Sequence, residues 1–176
     1  MTSQQTIVIT GSTRGIGKGM AGELLKRGHN VVVSGRTAAA VQQAVADLEP
    51  LASGTARVHG VPCDVAQCDA LQTLWDEATS KFGRVDIWIN NAAVSMPRRP
   101  LWEIPVEEFH DIVNTNLVGI SNGDAVAIAG MLAQGHAPLY WENIEGGHGG
   151  AADNAQRAHL QALEFAYLWR QLGRDD

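Results

Sequence analysis

The chain is poor in several things that would have assigned it to a class at once. It has only two cysteines, Cys63 and Cys68. Their spacing fits neither a zinc site nor a redox pair, so both read as reduced thiols of a cytoplasmic protein. Positive charge is scarce: 13 Lys and Arg stand against 19 Asp and Glu, for a net charge of −6. That balance argues against a nucleic-acid or anionic-membrane partner. No 18 consecutive residues are apolar, so no bilayer span is expected. The first residues, Met-Thr-Ser-Gln-Gln, lack the basic and apolar regions of a secretion signal. His136, Glu142 and His148 match no metal-ligand spacing, and no metal is expected. Lysine stops at Lys81 and serine at Ser121.

What is present concentrates near the amino end. At 176 residues and 45% hydrophobic, the chain has the size and core of one domain. Residues 6–17 read Thr-Ile-Val-Ile-Thr-Gly-Ser-Thr-Arg-Gly-Ile-Gly, a short apolar strand running into a glycine-rich turn and then a helix. Gly11, Gly15 and Gly17 let backbone approach a ligand closely. The N–H groups at the start of the following helix make a natural seat for a pyrophosphate.

The same strand–helix rhythm continues. Strands are expected at residues 6–10, 30–34, 56–62 and 85–90, with helices at 14–27, 37–51 and 67–82 between them. The strands are apolar without alternation, as in a parallel sheet covered on both faces. Beyond Asn91 a proline-containing loop at 95–105 leads to helices at 106–116 and on to about 134. Gly119, Gly123 and Gly130 weaken the second of these. A fifth strand at 139–143, a glycine-rich loop and an amphipathic helix at 155–172 complete the expectation.

Four landmarks then carry a resemblance. Thr10-Gly11-Ser-Thr-Arg14-Gly15-Ile16-Gly17 has the Gly-x-x-x-Gly-x-Gly spacing of the short-chain dehydrogenase/reductase cofactor turn. Asp64-Val65 resembles the place where that family contacts adenine. Asn90-Asn91-Ala92-Ala93 resembles its Asn-Asn-Ala-Gly, and Asn114-Thr-Asn116 its active-site asparagine segment. Each also has a plain structural reading, as a turn, a cap or a strand end; their order along the chain favours the family. The resemblance implies a Rossmann-like, doubly wound α/β fold of about five parallel strands in the order 3-2-1-4-5, truncated relative to the full family fold. Residues 1–130 would form the nucleotide-binding domain, and 131–176 a strand–loop–helix segment packed on it.

It also implies a site. Gly11, Thr13, Arg14, Gly15, Ile16, Gly17, Arg36, Asp64, Val65, Asn90 and Ala92 are the expected cofactor contacts, and Asn116 the one catalytic carry-over. The second strand ends in Ser34-Gly35-Arg36, without the carboxylate that binds the ribose of NAD. Arg14 and Arg36 suit a 2′-phosphate, so NADP(H) is expected ahead of NAD(H). The substrate would be a small carbonyl or alcohol, and pairing of copies through the helices after the fourth strand is plausible.

The family's proton chemistry uses Tyr-x-x-x-Lys and an earlier serine. Here Ile144 stands four residues after Tyr140 and Gln171 four after Tyr167. Hydride transfer is therefore expected to be impaired or absent, the alternative being a catalytically silent nucleotide-binding module. The stretch from Gln134 through His148 to Asn154, with the helix after it (about residues 131–176 in all), resembles the end of prolyl oligopeptidase-family hydrolases, which suggests a chimera. In that family the matching histidine is a triad base. Gly119-Ile-Ser121-Asn-Gly123 spells a nucleophile elbow but falls where a helix is expected, so the match is accidental. On this topology the His148 loop would hang over the cofactor crevice.

Overall fold

The structure, a computed structural model, describes residues 4–95 and 98–136. Four strands, β1 (Thr6–Ile9), β2 (Asn30–Gly35), β3 (Val58–Pro62) and β4 (Ile87–Ile89), alternate with helices α1 (Gly15–Lys26), α2 (Ala38–Leu48) and α3 (Cys68–Phe82). All pairings are parallel, in the order β3-β2-β1-β4. This is the Rossmann-like sheet expected, seen over four strands. The fifth strand, the terminal helix and His148 lie outside the described residues.

Strand periodicity sorts the core into two layers. Ile7, Ile9, Val31 and Val33 point to α1 and α2, where Ala21, Leu25 and Leu48 meet them. Val8 and Val32 point the other way, to Leu71, Leu74 and Trp75 of α3. Strands buried on both faces explain the unbroken apolar runs. Each fully buried aliphatic side chain contributes about 1.5–3 kcal/mol. The ion pairs Lys18–Asp47 and Lys26–Glu23 lie at the surface, where water screens them, so the sandwiched sheet carries the stability.

Several boundaries differ from the periodicity, each for a local reason. The α2 helix, capped at its start by the Thr37 hydroxyl, yields to a 3₁₀ turn at Glu49–Leu51. Pro50 has no N–H to continue an α-helix. The β4 ladder is only three residues long; just before it the Asp86 amide donates to the Thr6 carbonyl and the Val85 amide to the Gln134 side chain.

After a 3₁₀ turn at Leu101–Glu103, the chain forms one continuous helical run over Val106–Ala133. It comprises α4 (Val106–Val113), a π turn at Asn114–Val118, and α5 (Gly119–Ala133). The three glycines expected to weaken this helix serve its packing instead. A Cβ at Gly119 would stand 2.5 Å from Val65 Cγ2; one at Gly123 would strike Asn90, and one at Gly130 the Trp75 ring. Close approach outweighs a propensity cost of about 1 kcal/mol per glycine. The run is long and apolar enough, at mean hydropathy 1.2, to cross a membrane. Here its Val126 and Ala127 are buried in the core cluster that includes α3, and it forms a layer of the fold.

Candidate functional site

At the carboxyl ends of β1 to β4 lies a cleft of about 580 Å³. It is where an open parallel sheet presents its crevice, between strands whose crossovers go to opposite faces. The glycine turn forms one wall. Cys63, Asp64 and Val65 form a second, and Asn91 to Ser95 with Thr115 a third.

The turn is bent by necessity. Gly11 has φ +62° and Gly15 φ +59°, a region that side chains other than glycine rarely enter. A Cβ on Gly11 would also stand 2.6 Å from Ala92 Cα, so the chain after β4 presses on the turn. Thr10 and Asn91 hold the two together. The Thr10 hydroxyl accepts from the Asn91 and Ala92 amides at 3.0 and 3.1 Å. Asn91 Nδ2 donates to the Thr10 and Gly11 carbonyls at 2.9 and 3.1 Å. Thr13 Cγ2 lies where a Cβ on Gly35 would stand, so the turn also leans on the end of β2.

Gly11, Thr13, Arg14, Gly15, Ile16, Gly17, Arg36, Asp64, Val65 and Ala92 all line this cleft. Arg14 and Arg36 are exposed and form no ion pair among the described residues. The helix α1 starts at the turn with no side-chain cap on its first N–H groups. An anion would find unpaired donors there. Asp64 is not a helix cap, since Gln67 takes that place before α3; one of its oxygens accepts from the Ala66 amide at 3.1 Å in a local turn.

Two expected residues stand elsewhere. Asn90 does not line the cleft. Its side chain turns under α5, accepting from Trp88 Nε1 at 2.9 Å and donating to Asp124 at 2.7 Å. Its amide is thereby spent on the packing of β4 against α5. Asn116 also lies off the cleft lining. It pairs with the backbone of Val94 in both directions, at 2.8 Å each, so it positions the loop that forms the third wall. Asn116 stands in the π turn at Asn114–Val118, and such turns concentrate at functional sites.

Sequence reasoning passed over Thr10 and Asn91 as structural partners, although both stand inside the quoted motifs. It also passed over Cys63, Ser95 and Thr115, which line the cleft. The Cys63 thiol is pushed up to about 12 by burial first and by the Asp64 charge second, so it is not a nucleophile at neutral pH.

The short chain dehydrogenase family matches residues 5–138. A chlorophyll(ide) b reductase NOL of Oryza sativa subsp. japonica is 40% identical over 121 residues, 68% of this chain and 35% of that protein. The 3-oxoacyl-[acyl-carrier-protein] reductase FabG of Staphylococcus aureus is 30% identical over 134 residues, 76% of this chain and 53% of that one. A crystal structure of a short chain dehydrogenase from Mycobacterium smegmatis is matched at TM-score 0.67 and 26% identity, over 73% of this chain and 53% of that one. The chain thus spans about a third to a half of the length of these relatives. The match ends at residue 138, and most of the stretch expected to resemble a hydrolase lies beyond it and outside the described residues.

Proposed function

The chain belongs to the short chain dehydrogenase family, and from that premise we propose that it binds NADP(H) in the cleft described above. The observation that carries this reading is the convergence of ten expected contact residues on one cleft whose turn leaves backbone N–H groups unpaired. When bound, NADP(H) supplies or accepts a hydride, and a small carbonyl or alcohol would be its partner in that exchange. The amides of residues 15–17 would hold the pyrophosphate. Arg14 and Arg36 would take the 2′-phosphate, and Asp64 with Val65 would border the adenine. Asn116 would keep the Val94 loop in place rather than touch the reacting atoms.

Proton transfer is the weak step. These 176 residues contain no Tyr-x-x-x-Lys, since no lysine follows Lys81. Without a lysine to lower a tyrosine pKa, a carbonyl oxygen gaining hydride has no tuned acid beside it. Binding with little or no turnover is therefore the proposed behaviour of this polypeptide, and a silent nucleotide-binding module is its limiting case. Exposed Val106, Phe109, Leu117 and Ile120 along α4 and α5 support association of two copies.

Fluorescence titration with NADPH and NADH tests the reading. NADPH should bind the more tightly. Each charge-assisted phosphate contact is worth about 1.5–3 kcal/mol. Arg36→Ala should accordingly weaken NADPH binding roughly ten- to a hundredfold and leave NADH binding unchanged. No binding of either coenzyme refutes the proposal, and equal loss for both refutes the role of Arg36. Strong NADPH-dependent reduction of carbonyls by the pure protein would overturn the expectation of impaired turnover.

A further inference from the structure

The hydrogen bonds that fix the cofactor turn to β2 run through a residue that never reaches the cleft. Ser12 is fully buried and lines no part of it. Its amide donates to the Ser34 carbonyl at 2.8 Å. Its hydroxyl accepts from the Ser34 amide at 3.0 Å and donates to the Ile9 carbonyl at 2.6 Å. Both polar groups of Ser12 are therefore spent inside the protein, and neither can serve a phosphate.

The place of that hydroxyl is informative. At the start of the β1–β2 pairing the Asn30 amide donates to the Gln5 carbonyl at 2.8 Å. A parallel ladder advances two residues at a time on each strand. Carried forward from Asn30 and Gln5, the same pattern brings the Ser34 amide to the Ile9 carbonyl, at the Ile9–Val33 pairing that ends the ladder. The Ser12 hydroxyl bonds both partners of that last rung. The chain has already left the sheet at Gly11, and this side chain ties the turn back to the end of the ladder. A Cβ on Gly17 would stand 2.9 Å from Ser12 Cα, so the first turn of α1 rests directly on this residue.

We propose that Ser12 is the positioning residue of the cofactor turn: its hydroxyl, bonded to both strands at the end of the β1–β2 ladder, sets the place of the residue 15–17 amides without touching the cofactor. This rests on the reading of the cleft as a dinucleotide site. Deleting the hydroxyl removes two of the three hydrogen bonds that tie this residue to the end of the ladder and leaves only the one from its amide. The turn is then free to shift against the sheet, which moves the amides above it.

The test compares two variants that both weaken the fold. Ser12→Ala should raise the NADPH dissociation constant by about tenfold or more, measured well below the melting temperature, for a lost alignment of about 1.4 kcal/mol. Val85→Ala removes buried side-chain atoms at the opposite end of the sheet. It should lower the melting temperature while leaving the NADPH constant within about twofold. Unchanged binding by a folded Ser12→Ala protein overturns the proposal, and so does an equal loss in Val85→Ala. Absence of binding by the wild-type chain would instead overturn the functional reading beneath it. Should Ser12→Ala not fold, amide exchange of the wild-type chain decides. The Ser34 amide should be protected as strongly as those of Val32 and Val33, and exchange at the rate of the exposed turn would refute its bond to the Ser12 hydroxyl.

Discussion

Alanine at Gly11 and at Gly15 separates two costs that usually arrive together. Both residues have positive φ, +62° and +59°. Forcing a side chain into that conformation costs about 1–2 kcal/mol. Their surroundings differ completely. A Cβ on Gly15 meets nothing within 4 Å, whereas one on Gly11 would lie 2.6 Å from Ala92 Cα and 3.1 Å from Ala92 N. Those are backbone atoms, and the Thr10–Asn91 hydrogen bonds hold them in place. Overpacking of this kind adds about 1–3 kcal/mol. Gly15→Ala should therefore cost about 1–2 kcal/mol, and Gly11→Ala about 2–5 kcal/mol in all. A domain has only about 5–15 kcal/mol to lose. Urea unfolding followed by circular dichroism reads both, with the midpoint falling and the slope unchanged. Gly11→Ala must push the chain after β4 away from the turn, widening the cleft, so NADPH affinity should fall with stability. Equal losses in the two variants would refute the contact between Gly11 and Ala92 and, with it, the account of how the third wall is placed.

Two further outcomes follow from groups outside the cofactor contacts. The His29 ring is buried and accepts from the Gln5 amide at 3.2 Å. Burial first, and the Arg27 charge second, hold its pKa below 6.5, with Asp86 opposing. The folded state thus binds this proton less readily than the unfolded chain. Its stabilising effect is complete above pH 6.5 and is lost as pH falls from there through the lower pKa of the folded state. The urea midpoint should decline on acidification from about pH 7.5 to 5.5 around the ordinary histidine pKa, and His29→Gln should flatten the decline; an unaltered slope in that variant removes His29 as its source. Of the two cysteines, Cys68 is exposed while the buried Cys63 thiol is pushed up to about 12. A thiol reagent at pH near 8 should label Cys68 alone in the folded protein and both in denaturant, and rapid labelling of Cys63 in the native state would contradict its burial.

Local chemistry carried much of this molecule in plain text. A strand needs apolar residues on both faces to lie between helix layers, and β1 and β2 show that directly. A phosphate-binding bend needs glycines where φ is positive, and Gly11 and Gly15 stand there. Pro50 announced the end of α2, though the 3₁₀ turn that absorbs it was not foreseen. Other features depended on what lies far away in sequence. Asn90 and Asn91 are chemically identical neighbours, yet strand alternation sends one beneath α5 to Asp124 and the other onto the glycine turn. Glycines in α5 read as helix breakers until Trp75 and Asn90 were found against them.

Sequence by itself determined the parallel sheet, the bend that follows its first strand and the absence of a Tyr-x-x-x-Lys pair, because periodicity, backbone freedom and residue inventory are properties of the chain alone. Tertiary structure decided which polar side chains face the cleft and which are spent inside. Ser12 and Asn116 were settled only there, since a hydroxyl or an amide has no fixed role until the fold brings its partner within 3 Å.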